Sequence, residues 1–451
     1  MSNVNILSDG IVYSKRRNIC PFLAHPLAAY SPTVPKEKIE KLQHTAQRLK
    51  GIKILELNST AQGGGVAEML YSSIPFLNNL RIEAEWKIIN GHKEYFECTK
   101  RLHNLLQGMK GSFNREMKRV YLDHLLECAQ NSITDNAPHI VTVHDPQPML
   151  LCRLLKKESE KWFWRCHIDI EPAIRSRNGL LTLLNDWVED YDAAVFSAAR
   201  YVFPPWLIPK FIIPPFIDPM SEKNREMSEP EINRVLTKYD IDRDVPIIAH
   251  IGRFDPWKGL DRTIATYRLV RETKRCQLVI AGGFASDDPE GERIFDDIYS
   301  QTRHDKDIHV LRLSLANRLE NYLEVNALQR AATIIMQPST REGFGLVVAE
   351  ALWKGKPVIA SNVGGISFQI KKGSTGYFYE NPRKTAQKLT YLLDNPNSAA
   401  RIGQRGKKYV QEHFLIIDRI TDYLMAMDII MNSALDKKNL AKCVTSFYPW
   451  L

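Results

Sequence analysis

Short apolar runs rich in Val, Ile, Phe and Ala, each closed by Gly, Asp, Ser or Pro, recur along the chain, and helical patterns separate most of them. Runs of this kind read as strands buried on both faces, the mark of parallel sheets. A first set falls at 53–57, 140–143, 164–166, 193–197 and 211–213, with a weaker member at 84–89. A second set falls at 247–251, 277–281, 308–313, 333–336, 357–360 and 376–379. Apolar positions at helical spacing predict helices over 36–50, 262–273 and 386–395. Strand–helix alternation argues for an α/β protein with helices on both faces of each sheet, and two such sets predict two doubly wound domains. The charged, proline-spaced stretch 218–246 is where they should part. The expected division is an N-terminal arm and helix over 1–50, domains over 51–235 and 236–425, and a tail over 426–451. The amphipathic helix after Arg419 is expected to pack back across the domain junction.

Composition narrows the class. At 451 residues the chain exceeds what one hydrophobic core serves, and 44% apolar with 25% charged residues is ordinary for a globular protein. No window reaches the roughly 18–20 apolar residues of a membrane span; the most apolar stretch, 206–217, is broken by prolines and Lys210. The first residues lack a basic segment leading into an apolar one, so a secretory signal is not expected. The cysteines (Cys20, Cys98, Cys128, Cys152, Cys166, Cys276, Cys443) are odd in number and have no CxxC spacing, which disfavours zinc or disulfides and favours a reduced, cytoplasmic setting. A net charge of +9 fits either a solvated basic surface or a site for a small anion. No stretch combines dense Lys/Arg with aromatics, so nucleic acid is not an expected partner.

In open α/β sheets ligands bind beyond the carboxyl ends of the strands, and the unusual residues stand there. After the first strand, Gly63, Gly64 and Gly65 lead into a helix, whose exposed N–H groups and dipole suit an anion; a tight turn is the plainer reading. The pattern is neither GxGxxG nor a P-loop. Two further strands end in His144-Asp145 and in His167-Ile168-Asp169, where neutral imidazoles can bond sugar hydroxyls. In the second half, Arg253 and Lys258 follow a strand within a glycine-flanked loop, a fork and a point charge suited to a diphosphate. Glu342 stands at a helix mouth and Glu350 two turns inward, about 80° around the helix from it. Each carboxylate can accept two hydrogen bonds from a vicinal diol, and Glu350, inside an apolar run, needs partners. Asp190-Tyr191-Asp192 spells a metal-binding D-x-D, but it precedes its strand and reads as a solvated turn.

These residues carry a resemblance. The Glu342/Glu350 pair with Arg253 and Lys258 upstream resembles the retaining GT-B glycosyltransferases. Within them the segments His144-Asp145-Pro146-Gln147-Pro148 and Trp164-Arg165-Cys166-His167-Ile168-Asp169 are most similar to the trehalose glycosyltransferring synthases. The likeness runs over about 39–414 and takes in 57–60, 63–68, 217–219, 221–224, 253–259, 287–291, 353–359 and 364–370. It implies a GT-B fold, two facing Rossmann-like domains with an interdomain active-site cleft. It also implies transfer of an α-glucosyl group, with retention, from a nucleoside diphosphate glucose (UDP, ADP or GDP form) to glucose, giving α,α-trehalose. Carried over, Arg253 and Lys258 hold the diphosphate, with Gly64 and Gly65 near the phosphates. Glu350 holds the ribose, and Glu342 the donor 3-hydroxyl, with backbone amides of Gly343, Phe344, Gly345 and Leu346 assisting. His144 meets the donor 6-hydroxyl, and Asp145, His167 and Asp169 line the sugar sites. His144, Glu342, Arg253 and Lys258 are the catalytic set. No metal or other cofactor is implied, and a homodimer is compatible with the pattern.

The sequence departs from the subgroup after His167, where Ile168-Asp169-Ile170-Glu171-Pro172 replaces a Ser-Pro-Asn-rich continuation and bears on the acceptor. Other readings stay open. A trehalose phosphorylase would use the same cations for inorganic phosphate, Glu350 being the best discriminator because only a nucleoside needs a ribose clamp. Another retaining transferase, making sucrose phosphate or a glycolipid, and a silent sugar-nucleotide sensor complete the set.

Overall fold

The computed structural model describes residues 11–12, 25–61, 64–89, 91–130, 137–176, 179–283, 289–314, 317–432 and 444–446. Cys20, Cys443, Gly63, residues 287–288 and most of the predicted N-terminal arm lie outside them. The described strands, in chain order, are β1 (Ile11–Val12), β2 (Lys53–Asn58), β3 (Glu83–Ile89), β4 (Ile140–His144), β5 (Lys161–Cys166), β6 (Ala193–Phe196) and β7 (Lys210–Ile212). They continue with β8 (Ile247–Ile251), β9 (Gln277–Gly282), β10 (Ile308–Arg312), β11 (Ile334–Gln337), β12 (Val358–Ala360), β13 (Tyr377–Phe378) and β14 (Val444–Ser446).

The chain forms two compact units, one of Met1–Pro215 with Ile416–Leu451 and the other of Phe216–Leu415. The division therefore falls at Pro215 rather than near 235. The helix Ile416–Asn432 returns to the first unit instead of forming part of a separate tail. Its place is set by the helix Lys36–Arg48, to which it is joined by Lys38–Asp418 (2.8 Å) and Arg48–Asp428 (2.6 Å). That first helix closes at Arg48 with Leu49 as its cap, just short of the predicted end at 50.

The first unit holds an eight-stranded sheet in the order β1-β3-β2-β4-β5-β6-β7-β14. Its six inner strands pair in parallel, and β1 and β14 close the two edges, antiparallel and parallel respectively. Ile140, Val141 and Val143 of β4 and Trp162, Phe163 and Trp164 of β5 are wholly buried, as strands covered on both faces require. β5 starts at Lys161, where its pairing with Ile140 of β4 begins, and not at 164. The chain runs from β2 to β3 on one side and then to β4 on the other, so the sheet reverses direction between β2 and β4.

The second unit holds a six-stranded parallel sheet in the order β10-β9-β8-β11-β12-β13. Its reversal lies between β8 and β11. Helices such as Leu260–Arg271 and Pro382–Asp394 cover it, the latter opened by Asn381, whose side chain accepts from the Lys384 N–H. Ile248, Tyr267, Leu278, Ile334, Met336 and Leu389 form its core. At a reversal the flanking loops diverge and leave a crevice at the carboxyl ends. The candidate residues of the sequence follow β2, β4, β5, β8 and β11, and both reversals fall among these strands.

Among the described residues no helix is long and apolar enough to cross a membrane. Cys98, Cys128, Cys152, Cys166 and Cys276 are buried and form no disulfide among the described residues.

Candidate active site

In the second unit the loop after β8 is built to aim its cations. Asp255 accepts from the Trp257 N–H (2.9 Å) and so starts the short turn Pro256–Lys258. Gly259 follows at φ +70°, where a Cβ would stand 2.3 Å from the Pro338 carbonyl oxygen. Only glycine meets both conditions, the left-handed backbone and the close pass of the loop after β11. The Gln337 side chain donates to the Ile251 carbonyl (2.5 Å), tying the ends of β8 and β11 together. Lys258 donates to Glu342 at 2.5 Å, both side chains mostly covered. Arg253 donates to Asp255 at 3.1 Å and keeps 44% of its side chain exposed. Arg341 lies over the Trp257 ring at 4.5 Å.

The helix beside them runs Leu346–Trp353, capped by Gly345 at φ +84°. Gly365 donates its N–H to the Gly343 carbonyl (2.9 Å), and a Cβ at Gly365 would meet the Phe344 Cα at 2.5 Å. The loop 342–345 is thus clamped in one shape. The first helical turn carries N–H groups with no acceptor within the helix, and Gly345 and Leu346 stand there. Phe344 turns its ring away, against Phe368 and Phe414.

Glu350 is buried, and the partners it needs are present as an ion pair and an amide. Lys223 holds one of its oxygens at 2.9 Å, and the Gln329 side chain donates to the other at 3.3 Å. Beside it Lys354, wholly buried, donates to the Asn224 side chain (3.1 Å); burial brings its ammonium down to about 7, against the opposing pull of Glu350. In the sequence Lys223 stands only as part of the matching segment 221–224, without a role.

In the first unit, the chain turn after β2 is set by Asn58, which accepts from the Thr60 N–H (2.9 Å). Gly64 then caps the helix Gly65–Asn79 in extended conformation, and a Cβ placed there would meet nothing among the described residues within 4 Å.

His144 and His167 come together, but as partners of each other. His144 Nδ1 lies 2.9 Å from His167 Nε2, and the rings stack with centroids 5.2 Å apart. His144 Nε2 lies 2.7 Å from the Glu56 carboxylate of β2. Both ring nitrogens of His144 are therefore engaged inside the unit, by His167 and by Glu56. Burial pushes the His144 imidazolium down, against the pull of Glu56, and pushes His167 far down, aided by the nearby Arg165 charge. Both rings are held neutral.

Asp145 is also turned inward. It sits at φ +60°, a left-handed position that Asp tolerates better than most residues, and its carboxyl accepts from the His167 N–H at 2.7 Å. Burial raises this carboxyl to about 7. Asp145 thus locks the end of β4 to the chain after β5. Asp169 accepts from the Glu171 N–H (3.0 Å) and begins the next short helix. The Asp190/Asp192 pair is not a solvated turn: Asp190 accepts from Arg153 (2.8 Å), and Asp192 accepts from the Trp162 N–H (2.8 Å) and pairs with Lys156 (2.7 Å).

Sequence reasoning missed Glu56, Arg165 and Tyr423. Tyr423, from the helix Ile416–Asn432, donates to Glu56 at 3.1 Å and bonds Thr142; Arg165 lies over its ring at 4.9 Å. The signal for Glu56 was present, a carboxylate in the middle of an apolar strand, where charge is tolerated only with partners. Nothing local marked Tyr423.

The Glycosyl transferases group 1 family matches residues 232–409. A solved α,α-trehalose-phosphate synthase (UDP-forming) from Burkholderia xenovorans, in complex with glucose-6-phosphate, superposes with a TM-score of 0.65 at 13% identity, over 84% of this chain and 100% of that one. Fold and site together define a glycosyltransferase of the GT-B fold. The N-terminal domain family of trehalose synthase matches residues 56–203. The trehalose synthase of Pyrococcus horikoshii is 41% identical over 88% of this chain and 95% of its own length, and the chain belongs to the trehalose synthase family. A trehalose phosphorylase of Pleurotus pulmonarius is more distant, 29% identical over 73% of this chain and 50% of its own.

Proposed function

We propose that this chain moves an α-glucosyl group, with retention, from a nucleoside diphosphate glucose to glucose, forming α,α-trehalose in a reversible exchange. The observation that carries the reading is the Lys258–Glu342 pair at the mouth of the helix Leu346–Trp353. A sugar diphosphate presents hydroxyls and anionic oxygens at adjoining positions. Glu342 has acceptor capacity for the hydroxyls. Lys258, Arg253 and the helix N-terminus supply the positive field that a leaving diphosphate needs. Family membership and the trehalose synthases among its relatives support trehalose as the product.

In this account the acceptor hydroxyl attacks the anomeric carbon from the face the nucleotide leaves. The new glycosidic bond forms as the bond to the phosphate oxygen breaks, and that departing oxygen takes the acceptor proton. The protein contributes position and electrostatics, so no cofactor is required of it. Glu350, with Lys223 as its counterion, keeps acceptor positions for ribose hydroxyls.

A phosphorylase reading draws on one observation, the prior engagement of Glu350 by Lys223 and Gln329. A single screen separates the two. UDP-, ADP- and GDP-glucose are each supplied with and without glucose, and the sugars are followed by NMR. Trehalose from one donor, with the α,α coupling pattern, is the expected result. Trehalose cleavage in phosphate with no transfer from any nucleotide sugar would replace this reading with the phosphorylase.

A further inference from the structure

We propose that Glu56 is a positioning residue that fixes the tautomers of two histidines in series, leaving His167 Nδ1 as the ring nitrogen that accepts a hydrogen bond from a sugar hydroxyl. The inference rests on the reading of this site as a sugar site.

The proton positions follow from the hydrogen bonds. A carboxylate only accepts. Tyr423 donates to one Glu56 oxygen at 3.1 Å, and His144 Nε2 lies 2.7 Å from the other, so the His144 proton is on Nε2. Both rings being neutral, His144 Nδ1 then carries a lone pair. It faces His167 Nε2 at 2.9 Å, and that nitrogen must therefore donate. His167 is left with its proton on Nε2 and a lone pair on Nδ1, and Nδ1 has no hydrogen-bond partner among the described residues. Thr142 supports the far end by bonding the Tyr423 hydroxyl, which burial keeps protonated and able to donate.

A second orphan stands close by. One terminal nitrogen of Arg165, a side chain only 6% exposed, also lacks a partner among the described residues. Arg165 is two residues before His167 at the end of β5, and its charge acts on both histidines. An unmet buried donor or acceptor is costly. One orphan donates and the other accepts, and a hydroxyl does both. A bare phosphate oxygen would suit Arg165 but leave Nδ1 unmet. The ligand chemistry is therefore a polyol, and the geometry favours His167 over His144 as the ring that touches it.

The test is nitrogen NMR on protein labelled at histidine, with His144 and His167 assigned by single substitution. Expected for the wild type at neutral pH is one pattern for both rings, Nε2 protonated and Nδ1 bare. Trehalose should shift His167 Nδ1 and leave the His144 nitrogens nearly unmoved. Glu56→Gln, whose amide can donate as well as accept, should admit the other tautomer in both rings. It should also lower kcat about 10- to 100-fold, the scale of losing an outer partner of a functional histidine, with KM for the nucleotide sugar kept. A Nδ1-protonated or doubly protonated ring in the wild type overturns the proposal. So does a His167 Nδ1 resonance indifferent to trehalose, or a Glu56→Gln enzyme with wild-type tautomers and kcat. The wild-type tautomer pattern needs no turnover, so a failed donor screen with these tautomers intact would count against the transferase reading alone.

Discussion

The two units treat polar groups at their strand ends in opposite ways. In the first, Glu56, His144, His167, Thr142 and Tyr423 close on one another as a buried chain in which both rings stay neutral. In the second, the groups are ions in pairs: Lys258 with Glu342, Arg253 with Asp255, Lys223 with Glu350. A neutral network gives direction and register but little field. Paired charges give field and can exchange partners when a charged ligand arrives. Transfer of a sugar from a diphosphate, the function proposed above, would need both, a scaffold for hydroxyls and a charged seat for the leaving group, and on that proposal the first unit would supply the one and the second the other.

The contrast can be broken at several points. The largest effect is expected at Lys258→Ala, which removes the cation facing Glu342. Trehalose formation should fall about 100- to 1000-fold with little loss of thermal stability, because the pair retains some solvent. Activity within tenfold of wild type would remove the charged seat from the account.

Next is Glu350→Ala, which leaves Lys223 without its buried counterion. Removing one partner of a buried pair costs about 3 kcal/mol or more, read as a lower denaturant midpoint, and nucleotide affinity should fall with it. An unchanged midpoint would show that the pair is not structural.

Glycines sharpen the comparison further. Gly259→Ala forces a Cβ toward the Pro338 carbonyl at a left-handed position and should destabilise by about 1–3 kcal/mol. Gly64→Ala meets nothing among the described residues and should stay within about 0.5 kcal/mol of wild type in stability. Any activity it loses would then report on the ligand.

The smallest effect is a pH slope. His250 of β8, wholly buried and bonded to Thr263 (2.9 Å), is depressed to about 3 by burial and by Lys258. Between about 3 and its ordinary 6.5 the unfolded chain binds a proton that the folded one does not, so stability is full above 6.5 and declines as pH falls. Melting curves of wild type and His250→Asn should diverge in that window, the wild type losing more. Parallel curves would show that the ring is not held neutral.

Much of this architecture is legible in the residues. Double burial writes apolar runs such as 247–251 and 277–281 directly into the chain, while glycine at 259 and 365 answers to close backbone approach and at 345 to a left-handed φ of +84°. The charged residues of the second unit are legible as well, since Lys258 and Glu342 stand in glycine-flanked loops after strands and Glu350 stands in an apolar run. The neutral network of the first unit is not. Which ring nitrogen of His144 is free depends on Glu56 and Tyr423, more than eighty residues before it and nearly three hundred after it in the sequence, and no local pattern encodes such a bond. The division of the chain is hidden for a like reason: the helix Ile416–Asn432 rejoins the first unit through ion pairs with Lys36–Arg48, contacts between distant segments.

The most direct test is a calorimetric titration of UDP, ADP and GDP into the wild type, Lys258→Ala and His167→Asn proteins. If the second unit holds the nucleotide by charge and the first directs sugar hydroxyls, Lys258→Ala weakens the preferred nucleotide about tenfold or more, and His167→Asn binds it as the wild type does. Equal weakening in both variants, or weakening in His167→Asn alone, would contradict the division of labour.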